Sequence, residues 1–290
     1  MGVFARIRDL LTGQPRVDVK KRFELKNRVG QGSMSKVYRA YDREHERTVA
    51  LKLLDMRKTA DLEARFDGRE RPPEWEISLR LRHPSVVETF EHGLSTEGER
   101  FMVMEFVEGG GLSFLIDTKA PHLEGRRLDL LKQLARGVEY LHRQGLIHRD
   151  LCPRNVLVSE TGQVKIIDFG LAVPNTPEFR RPGNRTGTAN YMAPELIRRQ
   201  PTDQRIDVFS YSVTAYELVT GTLPWESTES LQAAMQHINE PPTDLGEQQP
   251  DLDKKLAGII MKGIARDPGE RWPTMTALRE ALETVPKTSC

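Results

Sequence analysis

From Phe23 onward the apolar and polar positions alternate. RFELKNRV and, after GQGSMS, KVYRAYD both keep a period of two, the spacing of half-buried strands. TVALKLLD is a compact apolar strand with Lys52 as the odd residue in it. RFMVMEFV is another, too short and too rich in β-formers for a helix. Between them EWEISLRLRH predicts a helix, with Pro72 and Pro73 ahead of it, where proline is tolerated. The stretch from Leu62 to Glu70 reads either as a continuation of that helix or as a loop.

From about Leu112 the period lengthens to that of helices. In RRLDLLKQLARGVEYLHRQG the residues Leu128, Leu131, Leu134, Val138 and Leu141 recur at steps of three or four, and Gly145 offers a stop. DVFSYSVTAYELVTG is apolar nearly all round, which predicts a helix in the middle of a lobe. Further helices fit Ser230 to His237, Asp253 to Ile264 and Met275 to Leu282, with prolines and glycine punctuating the linker between the first two. A β-rich lobe is therefore followed by a larger helical one, with the boundary near Val107 to Leu112, where EGGG interrupts the pattern.

The 290 residues are enough for one large domain or two lobes, and 43 basic against 42 acidic side chains leave a net charge of +1. That balance gives no support to a nucleic-acid partner. Two cysteines, Cys152 and Cys290, make a disulfide framework improbable and favour a reducing, cytoplasmic setting. No apolar run approaches the roughly 18 to 20 residues of a membrane span. The opening MGVFARIRDLLTG has a short amphipathic helix pattern within a basic leader, residues 1–22. Packing on the domain's own surface is the simplest expectation, with weak contact to a partner or a membrane surface as the alternative.

Several residues carry chemistry. GQGSMS between two strands can form a hairpin whose backbone N–H groups face a polyphosphate; the strand that follows excludes a Rossmann reading, which needs a helix there. Lys52, an ammonium inside an apolar strand, calls for a charged partner. Glu74 on the predicted helix is the first candidate and Glu76 its competitor, since two positions along a helix point to different faces. GLIHRDLCPRNVLV puts Asp150, Arg154 and Asn155 in a short loop before an apolar strand, and TGQVKIIDFGLA brings a strand pair that ends at Asp168. Two carboxylates and an amide oxygen suit a hard divalent cation such as Mg²⁺ with bound phosphate.

Taken in order, these motifs resemble a eukaryotic-type protein kinase domain, most similar to the bacterial and eukaryotic serine/threonine kinases, over residues 23–283. The resemblance implies an α+β, bilobal fold: a small antiparallel β-sheet N-lobe (23–107) with one main helix, a larger helical C-lobe (112–283), and a short tail (284–290). It implies transfer of the γ-phosphate of ATP to serine or threonine hydroxyls of protein substrates, autophosphorylation included, with Mg²⁺ or Mn²⁺. Val29, Gly30, Gln31, Gly32 and Ser33 then belong to the glycine loop, Val37 and Ala50 to the ceiling over adenine, and Leu157 to its floor. Lys52 holds the α- and β-phosphates, Glu74 pairs with it, Met104 is the gatekeeper, and Glu105 to Val107 form the hinge. Asp150 takes or orients the substrate's hydroxyl proton, Asn155 and Asp168 hold metal, and Thr188 in GTANYMAPE contacts the catalytic aspartate and lysine. Glu195 pairs with Arg271, Asp207 holds the backbone of the catalytic loop, and Thr186 is the first choice for a regulatory phosphate.

The chain departs from that pattern at Ser35, where the loop's third glycine would stand, and at Trp272, where proline is usual. Cys152 occupies the place of the lysine that neutralises the transferred phosphate. Arg154 resembles the arginine of tyrosine kinases and is the candidate to restore that cation. Thr188 still favours serine and threonine over tyrosine. Two alternatives stand beside an active enzyme: a weakly active or inactive nucleotide-binding scaffold, suggested by Ser35 and Cys152, and a small-molecule phosphotransferase, against which GTANYMAPE and Arg271 argue.

Overall fold

A computed structural model of the chain describes residues 16–31, 35–64, 66, 71–183, 185–225 and 231–286. Its contacts divide into two units, residues 1–82 with 87–107 and residues 83–86 with 108–290. The short stretch His83–Val86 thus belongs with the second unit, although it lies inside the N-lobe limits drawn from sequence.

The first unit carries a five-stranded antiparallel sheet of order β1-β2-β3-β5-β4. Its elements are α1 (Val19–Arg22), β1 (Phe23–Gln31), β2 (Ser35–Asp42), β3 (Arg47–Leu54), α2 (Met56–Ala64), α3 (Glu74–Arg80), β4 (Thr89–Leu94) and β5 (Arg100–Glu105). Successive side chains on a strand point to opposite faces. Val49 and Leu51 accordingly enter the core with Phe23, Ala40, Phe101 and Val103, with Leu53 packed against it, while Ala50 and Lys52 take the other face. The end of the basic leader is part of this unit. Val17 N–H donates to the Leu94 carbonyl at 2.9 Å, and Val19 is buried in the core. Residues 1–15, which hold the amphipathic pattern, lie outside the described residues.

Helix α3 begins on Pro73, as the prolines led one to expect, but stops at Arg80. Leu81 turns extended and buries its side chain to 1% exposure, so LRH is not helical. The stretch beginning at Leu62 does not continue α3. Its first residues end a separate helix, α2, which polar composition had concealed; Asp55 accepts from the Arg57 and Lys58 N–H groups at that helix's start.

The second unit contains β6 (Gly109–Gly111), α4 (Leu112–Asp117), α5 (Arg127–Arg143), β7 (Leu146–Ile147), β8 (Val156–Ser159), β9 (Val164–Ile166), β10 (Val173–Pro174), α6 (Pro177–Arg180), α7 (Pro194–Ile197), α8 (Arg205–Thr220), α9 (Leu231–Asn239), α10 (Leu245–Gln248), α11 (Lys254–Gly263) and α12 (Met275–Glu283). EGGG is more than an interruption: its glycines form β6, paired antiparallel with β8. On α5, Leu128, Leu131, Leu134, Val138 and Leu141 are all buried, and Gly145 follows with φ +71°. Helix α8 is buried on nearly every side and ends on Gly221 in the left-handed conformation. Asp253 and Thr274 cap α11 and α12 through their side chains. Val285, assigned to the tail from sequence, is 3% exposed. No helix among the described residues is long and apolar enough to cross a membrane.

Candidate active site

In the first unit the sheet register gathers the nucleotide-binding candidates on one face. Lys52 lies opposite Val37 on β2 and Met102 on β5, and Ala50 lies opposite Met104. Directly opposed residues share a face, so Val37, Ala50, Lys52 and Met104 point the same way. Gly30 pairs with Val37. Val29 is 46% exposed. Gly32 and Ser33 lie outside the described residues, and Gln31 ends β1 opposite Lys36. Lys52 is buried, and its Nζ lies 2.5 Å from Glu74 Oε1. Glu76, the competitor, pairs instead with Arg80 one turn along the helix. Glu105 ends β5, and its carboxylate accepts from the Glu88 N–H at 2.7 Å; Val107 beyond it is half-buried.

In the second unit Asp207, fully buried on α8, holds the catalytic loop. Its carboxylate accepts from the His148 N–H at 2.7 Å and the Arg149 N–H at 2.9 Å, and His142 Nε2 lies 2.9 Å away. Burial raises its proton affinity, but His142 and His148 outweigh that and hold the carboxyl below its ordinary value. Two residues here take positive φ without being glycine, Arg149 at +69° and Asp168 at +64°. Such angles cost energy and persist only where neighbours hold them, which for Arg149 is the bond to Asp207.

Asp150 is held by both oxygens. Oδ1 accepts from Thr188 N–H at 2.7 Å and from Thr188 Oγ1 at 2.8 Å, and Oδ2 accepts from Asn155 Nδ2 at 3.0 Å. Burial pushes its pKa up; the Thr188 bonds and His148 work against that, and the nearby charge of Asp168 adds to it. The Asn155 amide nitrogen is spent on Asp150, so its amide oxygen points elsewhere. The Asn155 carbonyl also accepts from Ile167 N–H at 2.9 Å, which brings Asn155 level with the residue preceding Asp168. Leu157, opposite Gly111 and Lys165, is half-buried between the fully paired β6 and β9.

Cys152 is buried, with Sγ 3.7 Å from Thr188 Oγ1. Burial, then the charge of Asp150, pushes its thiol up to about 11, so it is an uncharged group at neutral pH. Arg154 is exposed, and its side chain makes no hydrogen bond or ion pair among the described residues. Its positive charge acts on Tyr191 and Glu217, which are themselves joined by a 2.5 Å hydrogen bond. Sequence reasoning gave Glu217 no role, and no local motif marks it. Thr186 is 6% exposed with Oγ1 unpartnered among the described residues, whereas Thr176 is exposed at the start of α6. Arg271 embraces Glu195 with two bonds of 2.7 and 2.8 Å. Trp272 donates from its indole to the Ile259 carbonyl at 3.0 Å, a packing role.

These arrangements are those of a protein kinase, and comparison with known proteins agrees. The family description "Protein kinase domain" matches residues 23–282, and the chain belongs to that family. It is 31% identical over 272 residues to the serine/threonine-protein kinase pkn3 of Myxococcus xanthus, covering 89% of this chain and 49% of that protein. A probable serine/threonine-protein kinase of Corynebacterium efficiens is 32% identical over 279 residues, 92% of this chain and 42% of its own length. PknB of Mycobacterium leprae is 30% identical over 271 residues, 91% of this chain and 43% of that protein. The chain therefore spans less than half the length of these relatives.

Proposed function

We propose that this chain transfers the γ-phosphate of ATP to serine and threonine hydroxyls of polypeptides, its own included. The observation that carries the reading is Asp150, a buried carboxylate whose Oδ1 is bound twice by Thr188 and whose Oδ2 is bound by Asn155. Held so, it keeps lone pairs for one more donor, the acceptor hydroxyl. Thr188 in that position favours serine and threonine, as do the names of the relatives.

In this reading the acceptor oxygen bonds to the γ-phosphorus as the bond to the bridging oxygen breaks, ADP departs, and the hydroxyl proton passes to Asp150. Lys52, fixed by Glu74, meets the α- and β-phosphates, and Val37, Ala50 and Met104 on the same sheet face supply apolar surface for adenine, beside the hinge Glu105 to Val107. The glycine-rich sequence from Val29 through Ser33 offers backbone N–H groups to the phosphates. The amide oxygen of Asn155 and the carboxylate of Asp168 are hard oxygen donors that fit Mg²⁺ or Mn²⁺, which when bound offsets phosphate charge. Arg154, two positions after Cys152 in the catalytic loop and exposed, is the candidate cation to act where Cys152 has no charge. Positioning and preorganised charge do most of the work.

The cysteine count supports a reducing, cytoplasmic setting, and the basic residues between Arg6 and Arg22 with the amphipathic pattern at the start support weak surface contact with a partner or membrane. The test is a radiolabelled Mg-ATP assay of the purified chain beside Asp168→Ala, with phosphoamino-acid analysis. Labelled phosphoserine or phosphothreonine that disappears in the variant is expected; ATP binding with no transfer to any polypeptide would leave a scaffold.

A further inference from the structure

Two consecutive carbonyls after Thr188 are held by side chains from different helices. Ser210 on α8 donates from Oγ to the Tyr191 carbonyl at 2.7 Å. His237 on α9 has Nδ1 2.9 Å from the Met192 carbonyl oxygen. A carbonyl only accepts, so Nδ1 is the nitrogen that carries the proton. His237 is 3% exposed, and its ring is walled by Trp225, 4.3 Å between centroids, and Phe209, 5.8 Å. Burial among these rings draws its pKa below the ordinary 6.5, which keeps it a neutral donor. Trp225 is tied in turn to the end of α9 by its indole N–H, 3.2 Å from the Glu240 carbonyl. The next residue, Ile238, packs on Ile197, and Ala189 and Met192 lean against that pair.

We infer that His237 is a positioning residue for the polypeptide acceptor, acting through the Met192 carbonyl. This rests on the proposed phosphotransfer to polypeptides. The segment Thr188–Met192 contains a single 3₁₀ turn, Ala189–Tyr191, and gains little rigidity from its own hydrogen bonds. Thr188 fastens one end to Asp150, and His237 fastens the other to α9. A short chain pinned at both ends has few alternative conformations, so the acceptor meets a surface already ordered with respect to the proton-accepting carboxylate. His237 itself makes none of the bonds to Asp150.

Two substitutions in the full chain test this. His237→Leu keeps bulk and removes the donor, and His237→Asn keeps an N–H at the position of Nδ1. With a serine/threonine-centred peptide selected from a degenerate library, His237→Leu is expected to raise KM for the peptide about fivefold, the effect of one lost buried hydrogen bond, with KM for ATP within about twofold. His237→Asn recovers most of the loss. Amide exchange followed by mass spectrometry over residues 186–197 needs no turnover, and there His237→Leu is expected to exchange about fivefold faster than wild type and than His237→Asn. Unchanged exchange in His237→Leu, or a fall in thermal stability with a rise in both KM values that Asn does not rescue, overturns the inference while leaving the activity intact. A wild-type chain that phosphorylates no polypeptide removes the activity itself, and the acceptor role with it.

Discussion

Lys52 Nζ and Glu74 Oε1 stand 2.5 Å apart with side chains only 7% and 12% exposed. Two charges so far from water stabilise each other only while both are present. Glu74→Gln leaves the ammonium without its countercharge. We expect it to lower kcat/KM for ATP by about 10²-fold, the scale of losing one preorganised charge. Lys52→Met should lower it as well and strands the Glu74 carboxylate in its turn, so both variants should melt below wild type. Steady-state kinetics and a thermal scan of both variants check the pair; equal activity in Glu74→Gln would show that Lys52 does not need it.

Much of this site was legible because its residues sit inside regular patterns. Lys52 stood out as the odd ammonium inside the apolar strand VALKLL, and the sheet puts it on the opposite face from Val49 and Leu51. The resemblance to the kinase family set Glu74 above Glu76, and the structure pairs Lys52 with Glu74. What stayed hidden depends on long-range contact. Glu217 lies 26 positions from Tyr191 and His237 lies 45 from Met192. Neither has a neighbour in sequence that gives it away. Helix α2 was missed for another reason: MRKTADLEA has few apolar positions to show a period, and only Asp55 marks its start. The burial of Thr186, just ahead of GTANYMAPE, is likewise a property of the folded segment and not of its local sequence.

Arg271 and Glu195 form a bidentate pair at 2.7 and 2.8 Å, with Arg271 also bound to the Ala265 carbonyl at 2.7 Å. Both are nearly solvent-free. Glu195→Ala strands a guanidinium in the interior and is expected to destabilise the fold by about 3 to 5 kcal/mol. Chemical denaturation measures this directly. Replacing both partners, Glu195→Leu with Arg271→Met, should recover part of the loss, since no lone charge remains.

Arg154 and Cys152 divide one question between them. The thiol is neutral, and the guanidinium next to Asn155 has no partner among the described residues. If the transferred phosphate draws on Arg154, Arg154→Ala lowers kcat by about tenfold or more, and Cys152→Lys in that background restores a share of it. An unchanged kcat in Arg154→Ala would leave its charge to the Tyr191–Glu217 pair alone.

Arg22 joins α1 to the sheet through Asp42, at 3.0 and 2.8 Å, and through Glu91 at 2.7 Å. Burial works to raise the Asp42 carboxyl, but the Arg22 and His45 bonds win and lower it from 3.8 to about 2. A folded pKa below the unfolded one means a stabilisation that is complete above the unfolded value and lost as pH falls towards the folded one. The stability of the wild-type chain should therefore drop between about pH 4 and pH 2. Asp42→Asn should start lower and show a shallower acid slope. Denaturation curves at a series of acid pH values separate the two.

Asp150 shows the opposite shift, and here the consequence is kinetic. Burial raises its pKa above the ordinary 3.8, Asp168 adds to the rise, and the bonds from Thr188 restrain it. In the proposed role of receiving the hydroxyl proton Asp150 must be ionised, so activity is expected to be lost as pH falls through its raised pKa, with the acid limb of kcat/KM above pH 3.8. Thr188→Val deletes the Oγ1 donor at 2.8 Å but keeps the side chain's shape and the backbone N–H at 2.7 Å. With one restraint gone the carboxyl becomes more basic, and the limb moves to higher pH while the plateau falls. A pH–rate profile of the two chains, taken with ATP saturating, measures the movement. A limb that stays in place, or shifts downwards, would mean that the ionisation seen in the profile belongs to another group than Asp150.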